Sequence, residues 1–177
     1  MGLRRAETAE LITVRPAAVA DVESLVRLRV TNAEAHLALD PETYRVPARD
    51  AVLRHFTAML ADGSQRNAVL VAELAGHVVG MVEVLRNPDP PDHQILRPEL
   101  SAAQIHTVVA EDARDRGAGA ALIDAAVTWA ADHGITYLSA GIHHRNAGAV
   151  RFYGRHGFAD YGRLMGRQVT GRVQRAS

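Results

Sequence analysis

The chain has 177 residues, 47% of them hydrophobic, and its 20 Arg side chains balance 20 Asp and Glu side chains to a formal net charge of zero. This composition predicts one domain with a sizeable core, and the neutral balance disfavours nucleic acid or an acidic membrane surface as the partner. The absence of Cys excludes disulfides, thiolate metal sites and a Cys nucleophile, and the lack of an apolar run of about 18 residues predicts a soluble cytoplasmic protein.

The N-terminal part of the chain predicts a short strand followed by a helix. Residues 1–10 have the composition of a flexible polar leader, and Leu11 to Arg15 alternate between apolar and polar residues as a strand does. Asp21 can cap a helix that continues toward residue 36, with its inner face at residues 22, 25, 26 and 28 or 29. Asp40-Pro41 ends that helix.

A second helix and a hairpin follow. The helix begins near Pro47 and runs to Gly63. Two apolar runs at residues 68–74 and 77–85 are separated by Ala75-Gly76, which predicts a β-hairpin. Residues 86–103 hold four of the seven Pro residues, so we expect a surface loop there, with a short helical turn at residues 99–103.

The middle of the chain predicts a strand, a glycine turn and a helix. Ile105, Thr107 and Val109 alternate as a strand, and a charged turn leads to Gly117-Ala118-Gly119. A helix with residues 123, 126, 127 and 130 on its inner face then runs to His133-Gly134, where the glycine ends it. This order directs backbone N–H groups and the positive end of a helix dipole at one spot, which suits an anion such as phosphate.

The C-terminal third predicts a strand at residues 135–142, an amphipathic helix at residues 146–156 and a closing strand pair at residues 158–161 and 164–170. The full order gives an α/β (α+β) domain over residues 11–170, with residues 171–177 as a tail. Its central sheet is mixed and mostly antiparallel, with about six or seven strands, flanking helices and one βαβ crossover at the glycine turn.

Two common phosphate-binding motifs do not fit this glycine turn. No Gly-Lys-Ser/Thr follows it, because the chain contains no Lys, so it is not a P-loop. Leu122 stands where the third glycine of a dinucleotide fingerprint belongs. A nucleotide-binding domain is therefore a weak alternative.

Two motifs resemble the GNAT superfamily of acyl-CoA N-acyltransferases. The stretch Arg114-Asp115-Arg116-Gly117-Ala118-Gly119 is similar to its R/Q-x-x-G-x-G/A pyrophosphate loop. The segment from Asn146 to Phe158 resembles its N-x-x-A-x-x-F-Y-x-x-x-G-F pattern. The resemblance covers nearly the whole chain and implies a GNAT-like fold with acetyl-CoA (coenzyme A) as the acyl donor.

The resemblance also implies which residues bind the cofactor. Turn amides would hold the pyrophosphate, and main-chain groups of the central strand would bind the pantetheine arm and polarise the thioester carbonyl. Asn146 would bond the pantetheine amides or simply cap the following helix. The residues expected at the cofactor are Val108, Val109, Arg114, Asp115, Arg116, Gly117, Ala118, Gly119, Ala120, Asn146 and Tyr153.

Tyr153 matches the position of the family's general acid. A phenol stays protonated at neutral pH and can donate to a departing thiolate, although a buried Tyr with a satisfied hydroxyl is the simpler alternative. The general base is open, because many relatives place a Glu early in the central strand, where this chain has Gln104-Ile105-His106-Thr107. His106 or Glu83 on the preceding strand, or a water relay, would serve instead.

The pair His143-His144 suggests a metal site, but adjacent strand residues point to opposite faces and no third ligand is evident. We therefore predict no metal. The resemblance implies that the first two helices and the β3–β4 loop, here residues 30–50 and 86–103, select the acceptor, and their mixed polar side chains indicate no specific amine. The sequence thus predicts an N-acetyltransferase that acts by direct attack in a ternary complex on a primary amine of a small molecule or peptide, with a homodimer left open. The alternative is a non-catalytic acyl-CoA-binding or regulatory module.

Overall fold

The computed structural model describes residues 11–93, 95 and 102–162. Within them, the chain forms five strands and four α-helices. They are β1 (Thr13–Pro16), α1 (Val22–Leu39), α2 (Arg49–Ala61), β2 (Asn67–Leu74), β3 (His77–Arg86), β4 (Ala102–Val109), α3 (Ala118–Asp132), β5 (Tyr137–Ser139) and α4 (Ala147–Arg155). The predicted leader and tail lie outside the described part of the chain.

The strands form one mixed sheet in the order β1-β2-β3-β4-β5. The first three pairings are antiparallel, and β4 pairs with β5 in parallel through the α3 crossover. The β2–β3 hairpin turns at Ala75 and Gly76, which both have positive φ angles of 51° and 78°. These features confirm the predicted mixed sheet with a single βαβ crossover.

The expected strand count was too high for the part of the chain that the structure describes. Residues 158–161 form no strand, and residues 164–170 lie outside the described ranges. The strand predicted at residues 135–142 is limited to β5, which pairs with Ala102 to Gln104 before the two strands diverge. Ala102 and Ala103 begin β4, so they are not part of the predicted helical turn, whose remaining residues are not described.

Each face of the sheet carries one helical layer. Side chains alternate along β3, so that Val82 and Val84 pack in the cluster with α3, whereas Met81 packs in the cluster with α1 and α2. The prediction for α1 is confirmed, since its buried residues are Val22, Leu25, Val26 and Leu28. Helices α1 and α2 therefore lie on one face of β4, and α3 and α4 lie on the other.

One residue predicted on the inner face of α3 faces solvent instead. The buried face of α3 consists of Ala118, Leu122, Ile123, Ala126 and Ala130, while Val127 is 48% exposed. On α4, Tyr153 is buried but Val150 is 47% exposed.

Candidate acyl-CoA cleft and acceptor pocket

β4 and β5 separate soon after they pair, which opens the edge of the central strand. Their pairing ends at Gln104 and Ser139, whereas β4 continues to Val109. A cleft of about 880 Å³ lies at this opening and is bordered by α1, β4, the glycine turn, α3 and α4. A mixed sheet that separates in this way leaves main-chain N–H and C=O groups without a neighbouring strand.

The hydrogen bonds at the two ends of the β3–β4 pair show which main-chain groups face the cleft. Asn87 N donates to Ala102 O, and Ala110 N donates to Val79 O, both toward β3. Because such bonds involve alternate residues of an antiparallel strand, the main chain of Val108 also faces β3. The main-chain groups of Thr107 and Val109 face the cleft. Val108 lines the cleft, but its main chain faces β3.

The glycine turn presents an uncapped helix N-terminus to the same cleft. Gly117 is the N-cap of α3 with φ 91°, and no side chain caps the helix. Asp115 also has a positive φ of 58°, which makes the turn tight. The first N–H groups of α3 consequently lack intrahelical acceptors and point at one end of the cleft, as an anion-binding helix terminus requires.

Most of the predicted cofactor residues meet in this cleft. Nine of the eleven line it, namely Val108, Val109, Arg114, Asp115, Gly117, Gly119, Ala120, Asn146 and Tyr153. Ala118 is buried in the core beneath the turn, so only its main chain can take part. Arg116 is not among the lining residues. Asn146 caps α4, because its Oδ1 accepts from Ala149 N at 3.0 Å.

Tyr153 of α4 lines the cleft. Tyr153 is only 8% exposed, and its ring packs edge-on against those of Phe152 and Phe158. Burial raises the pKa of the Tyr153 phenol, and its contact with Thr107 acts in the opposite direction. Tyr153 is therefore protonated at neutral pH and able to donate a hydrogen bond.

A second, smaller cavity lies on the other face of β4. It has a volume of about 320 Å³ and is bordered by α1, α2, β3 and β4. At its base Glu83, which is 1% exposed, pairs with the Arg29 guanidinium through Oε2 and with His55 Nε2 through Oε1 at 2.9 Å. His106 stands directly opposite Glu83 in the strand register, with Nδ1 at 3.8 Å from Oε2.

Both imidazoles of this cavity are held in the neutral form. Burial lowers the pKa of His106, and the charges of Arg29 and His55 lower it further. The pKa of His55 is lowered by burial and then by Arg29. At neutral pH each ring therefore has an unprotonated nitrogen that can accept a proton.

The model of the acetyltransferase (GNAT) family matches residues 33–158, well over half of the chain. The chain belongs to the GNAT family. GNAT acetyltransferases use acetyl-CoA, so acetyl-CoA is the cofactor of this protein. The free strand edge and the uncapped α3 N-terminus are what a pantetheine arm and a pyrophosphate require, so the residues of the cleft fit this cofactor.

Solved structures share the fold at low sequence identity. A mutant of the BH1408 protein from Bacillus halodurans aligns with a TM-score of 0.74 at 21% identity, covering 89% of this chain and 99% of its own. Aminoglycoside N-acetyltransferase AAC(6')-Iy in complex with CoA aligns with a TM-score of 0.71 at 16% identity, covering 96% and 99%. A transcriptional regulator from Bacillus halodurans C-125 reaches 0.69 at 22% identity, covering 90% and 100%. A comparison with curated protein sequences gave no match.

Two members of the smaller cavity were not predicted from the sequence. Arg29 of α1 and His55 of α2 converge on Glu83 from separate helices. Arg29 follows the buried positions of α1 at helical spacing, which was the available sign that it faces inward. His55 precedes the fully buried Phe56 and gave no comparable sign.

One premise of the argument against a metal at His143-His144 was wrong. These residues lie outside β5, and their rings approach to 4.4 Å between centroids instead of pointing to opposite faces. His143 Nε2 lies 3.1 Å from Asp40 Oδ2, which ties the end of α1 to the loop before α4. Among the residues that the structure describes, no group of three or more His, Cys, Asp or Glu could hold a metal ion. No helix in those ranges could cross a membrane.

Proposed function

We propose that the protein transfers the acetyl group of acetyl-CoA to a primary amine by direct attack in a ternary complex. The observation that carries this proposal is the position of two consecutive residues of β4. His106 faces the smaller cavity and Thr107 faces the cleft with Tyr153, so a proton acceptor and a proton donor flank one strand. An amine that enters from one side can therefore meet a thioester that lies along the other.

The proposed cofactor site follows from the geometry of the cleft. The α3 amides from Ala118 to Ala120 hold the pyrophosphate, and Arg114 at the mouth of the turn adds positive charge. Main-chain groups of Thr107 and Val109 bond the pantetheine arm and polarise the carbonyl. Acetyl-CoA supplies the activated acetyl group. Every other contribution comes from the protein, which orients the donor and keeps the reacting atoms apart from bulk water.

Proton transfer is assigned to residues on either side of β4. Tyr153 donates its phenolic proton toward the departing sulfur, which its raised pKa permits because the group is protonated before the reaction. His106 accepts the proton of the incoming ammonium. Glu83 is a positioning residue, since both of its oxygens are engaged and its side chain is 1% exposed.

The charge of the smaller cavity limits the acceptor. Glu83 is the one carboxylate among its described lining residues, and Arg29 compensates its charge. A polycation needs uncompensated negative charge to bind tightly. The related AAC(6')-Iy is named as an aminoglycoside acetyltransferase. For this protein we propose instead an amine with a single positive charge, on a small molecule or at a peptide N-terminus. The cytoplasmic location and a homodimer remain predictions.

The test is a panel of amines with acetyl-CoA in which free thiol release is followed together with the mass of the acetylated product. Monoamines and peptides with a free N-terminus should support release that depends on both substrates, while polycationic amines should be poorer acceptors. Binding of acetyl-CoA without transfer to any member of the panel would favour the non-catalytic regulatory module. That alternative is suggested by the similar fold of a protein described as a transcriptional regulator.

A further inference from the structure

The imidazoles of His55 and His106 share the buried carboxylate of Glu83. This arrangement gives His55 an additional role, and that assignment rests on the proposed function. We propose that His55 takes up the first proton at the Glu83 cluster and thereby keeps His106 unprotonated for the reaction. His55 is thus a positioning residue that acts through Glu83, whereas His106 is the residue that meets the acceptor.

The contacts around Glu83 favour a proton on His55 over one on His106. His55 Nε2 lies 2.9 Å from Oε1, a hydrogen-bond distance that stabilises an imidazolium, whereas His106 Nδ1 is 3.8 Å from Oε2. Arg29 binds the Oε2 that faces His106 and repels a positive charge on both rings, so the shorter contact with Glu83 is what favours His55. The cation of lower energy in this cluster is therefore the His55 imidazolium.

Solvent exposure favours the same order of protonation. The His55 side chain is 47% exposed, and the His106 side chain is 37% exposed. Water consequently stabilises a charge on His55 more than one on His106. The groups that face the cluster come from all four elements packed around it: Arg29 from α1, His55 from α2, Glu83 from β3 and His106 from β4. The other described residues of the cavity are apolar: Pro47, Ala51, Val52 and Leu85.

The consequence for the reaction is a base that remains available at lower pH. In the proton transfer an N–H bond of the ammonium breaks, its electron pair stays on nitrogen, and the proton adds to the His106 ring nitrogen directed away from Glu83. When His55 is already charged, a proton from solvent is repelled from His106. Loss of His55 removes that repulsion, so solvent protons occupy His106 at a higher pH.

The test compares wild type with His55→Gln and with His77→Gln, a matched loss of an exposed His at the start of β3. His55→Asn serves as a second variant if the first folds poorly. One readout is the NMR titration of the His106 ring, which needs no turnover, and the other is the pH profile of kcat/KM. In His55→Gln both the His106 titration and the acidic limb should move up by roughly half to one pH unit, with the rate at high pH within about threefold of wild type.

His77→Gln should leave both readouts at their wild-type positions. A His106 titration in His55→Gln that is unchanged or lower would overturn the inference, as would an acidic limb that does not move while activity is measurable. If the His106 titration moves upward but no amine is acetylated by wild type, the proton order at Glu83 stands and the proposed function fails. The two claims are thereby tested separately.

Discussion

Gly119 lies directly against the ring of Phe152. A Cβ atom built on Gly119 would come 3.0 Å from both Cε2 and Cζ of that ring, and 3.7 Å from a methyl group of Val109. The missing side chain therefore lets α3 approach α4 closely. Gly117 is different, since its φ of 91° is what requires glycine, and its Cβ would meet nothing within 4 Å.

This contact predicts that Gly119→Ala destabilises the protein. The added methyl group forces Phe152 or α3 to move, and overpacking of this kind typically costs about 1–3 kcal/mol. Urea unfolding measures the loss. Gly154→Ala, in α4 with open space around its Cβ, is the matched control and should be neutral or slightly stabilising. Equal stability of the two variants would contradict the close packing of Gly119.

A separate substitution tests the phosphate site without disturbing that packing. Ala120→Glu places a carboxylate in the first turn of α3, where it opposes a bound pyrophosphate but interacts favourably with the helix dipole. We expect acetyl-CoA affinity measured by calorimetry to fall at least about tenfold, with stability unchanged or improved. Thr128→Glu adds the same charge to an exposed position farther along α3 and should bind acetyl-CoA normally. Wild-type affinity in Ala120→Glu would place the pyrophosphate elsewhere.

The ion pair between Arg29 and Glu83 predicts a different response in single and double variants. Glu83→Gln leaves the Arg29 charge largely buried without its partner, and we expect a loss of roughly 2–4 kcal/mol of unfolding free energy, somewhat discounted because Arg29 keeps 23% exposure. Replacing both residues with Met should recover most of the stability, because apolar side chains of similar volume avoid the desolvation cost.

The activity of that double variant separates function from stability. Without Glu83 the two His side chains lose their shared partner, so kcat should stay low even though the protein is stable. Urea unfolding and the rate of thiol release provide the two measurements. A stable Arg29→Met, Glu83→Met protein with wild-type kcat would show that the Glu83 cluster plays no part in the reaction.

The sequence predicted the features that local patterns determine. The hairpin turn at Ala75-Gly76, the end of α3 at Gly134 and the cap at Asn146 all depend on residues close together in the chain. The sequence also predicted Glu83 and His106 on neighbouring strands, and the structure pairs them directly. The convergence of Arg29 and His55 on Glu83 could not be predicted, because it depends on how α1 and α2 pack against β3. The early end of β5 likewise depends on its partner strand rather than on its own apolar run.

The kcat of Tyr153→Phe, measured beside the affinity for acetyl-CoA, tests the proposed acetyl transfer most directly. The substitution keeps the ring and its contacts with Phe152 and Phe158 and removes only the hydroxyl. Charge develops on sulfur only as the thioester breaks, so loss of the donor should lower kcat and leave binding nearly unchanged. We expect kcat to fall by about 10²–10⁴-fold with acetyl-CoA affinity close to wild type. A Tyr153→Phe enzyme that turns over at the wild-type rate would contradict the account.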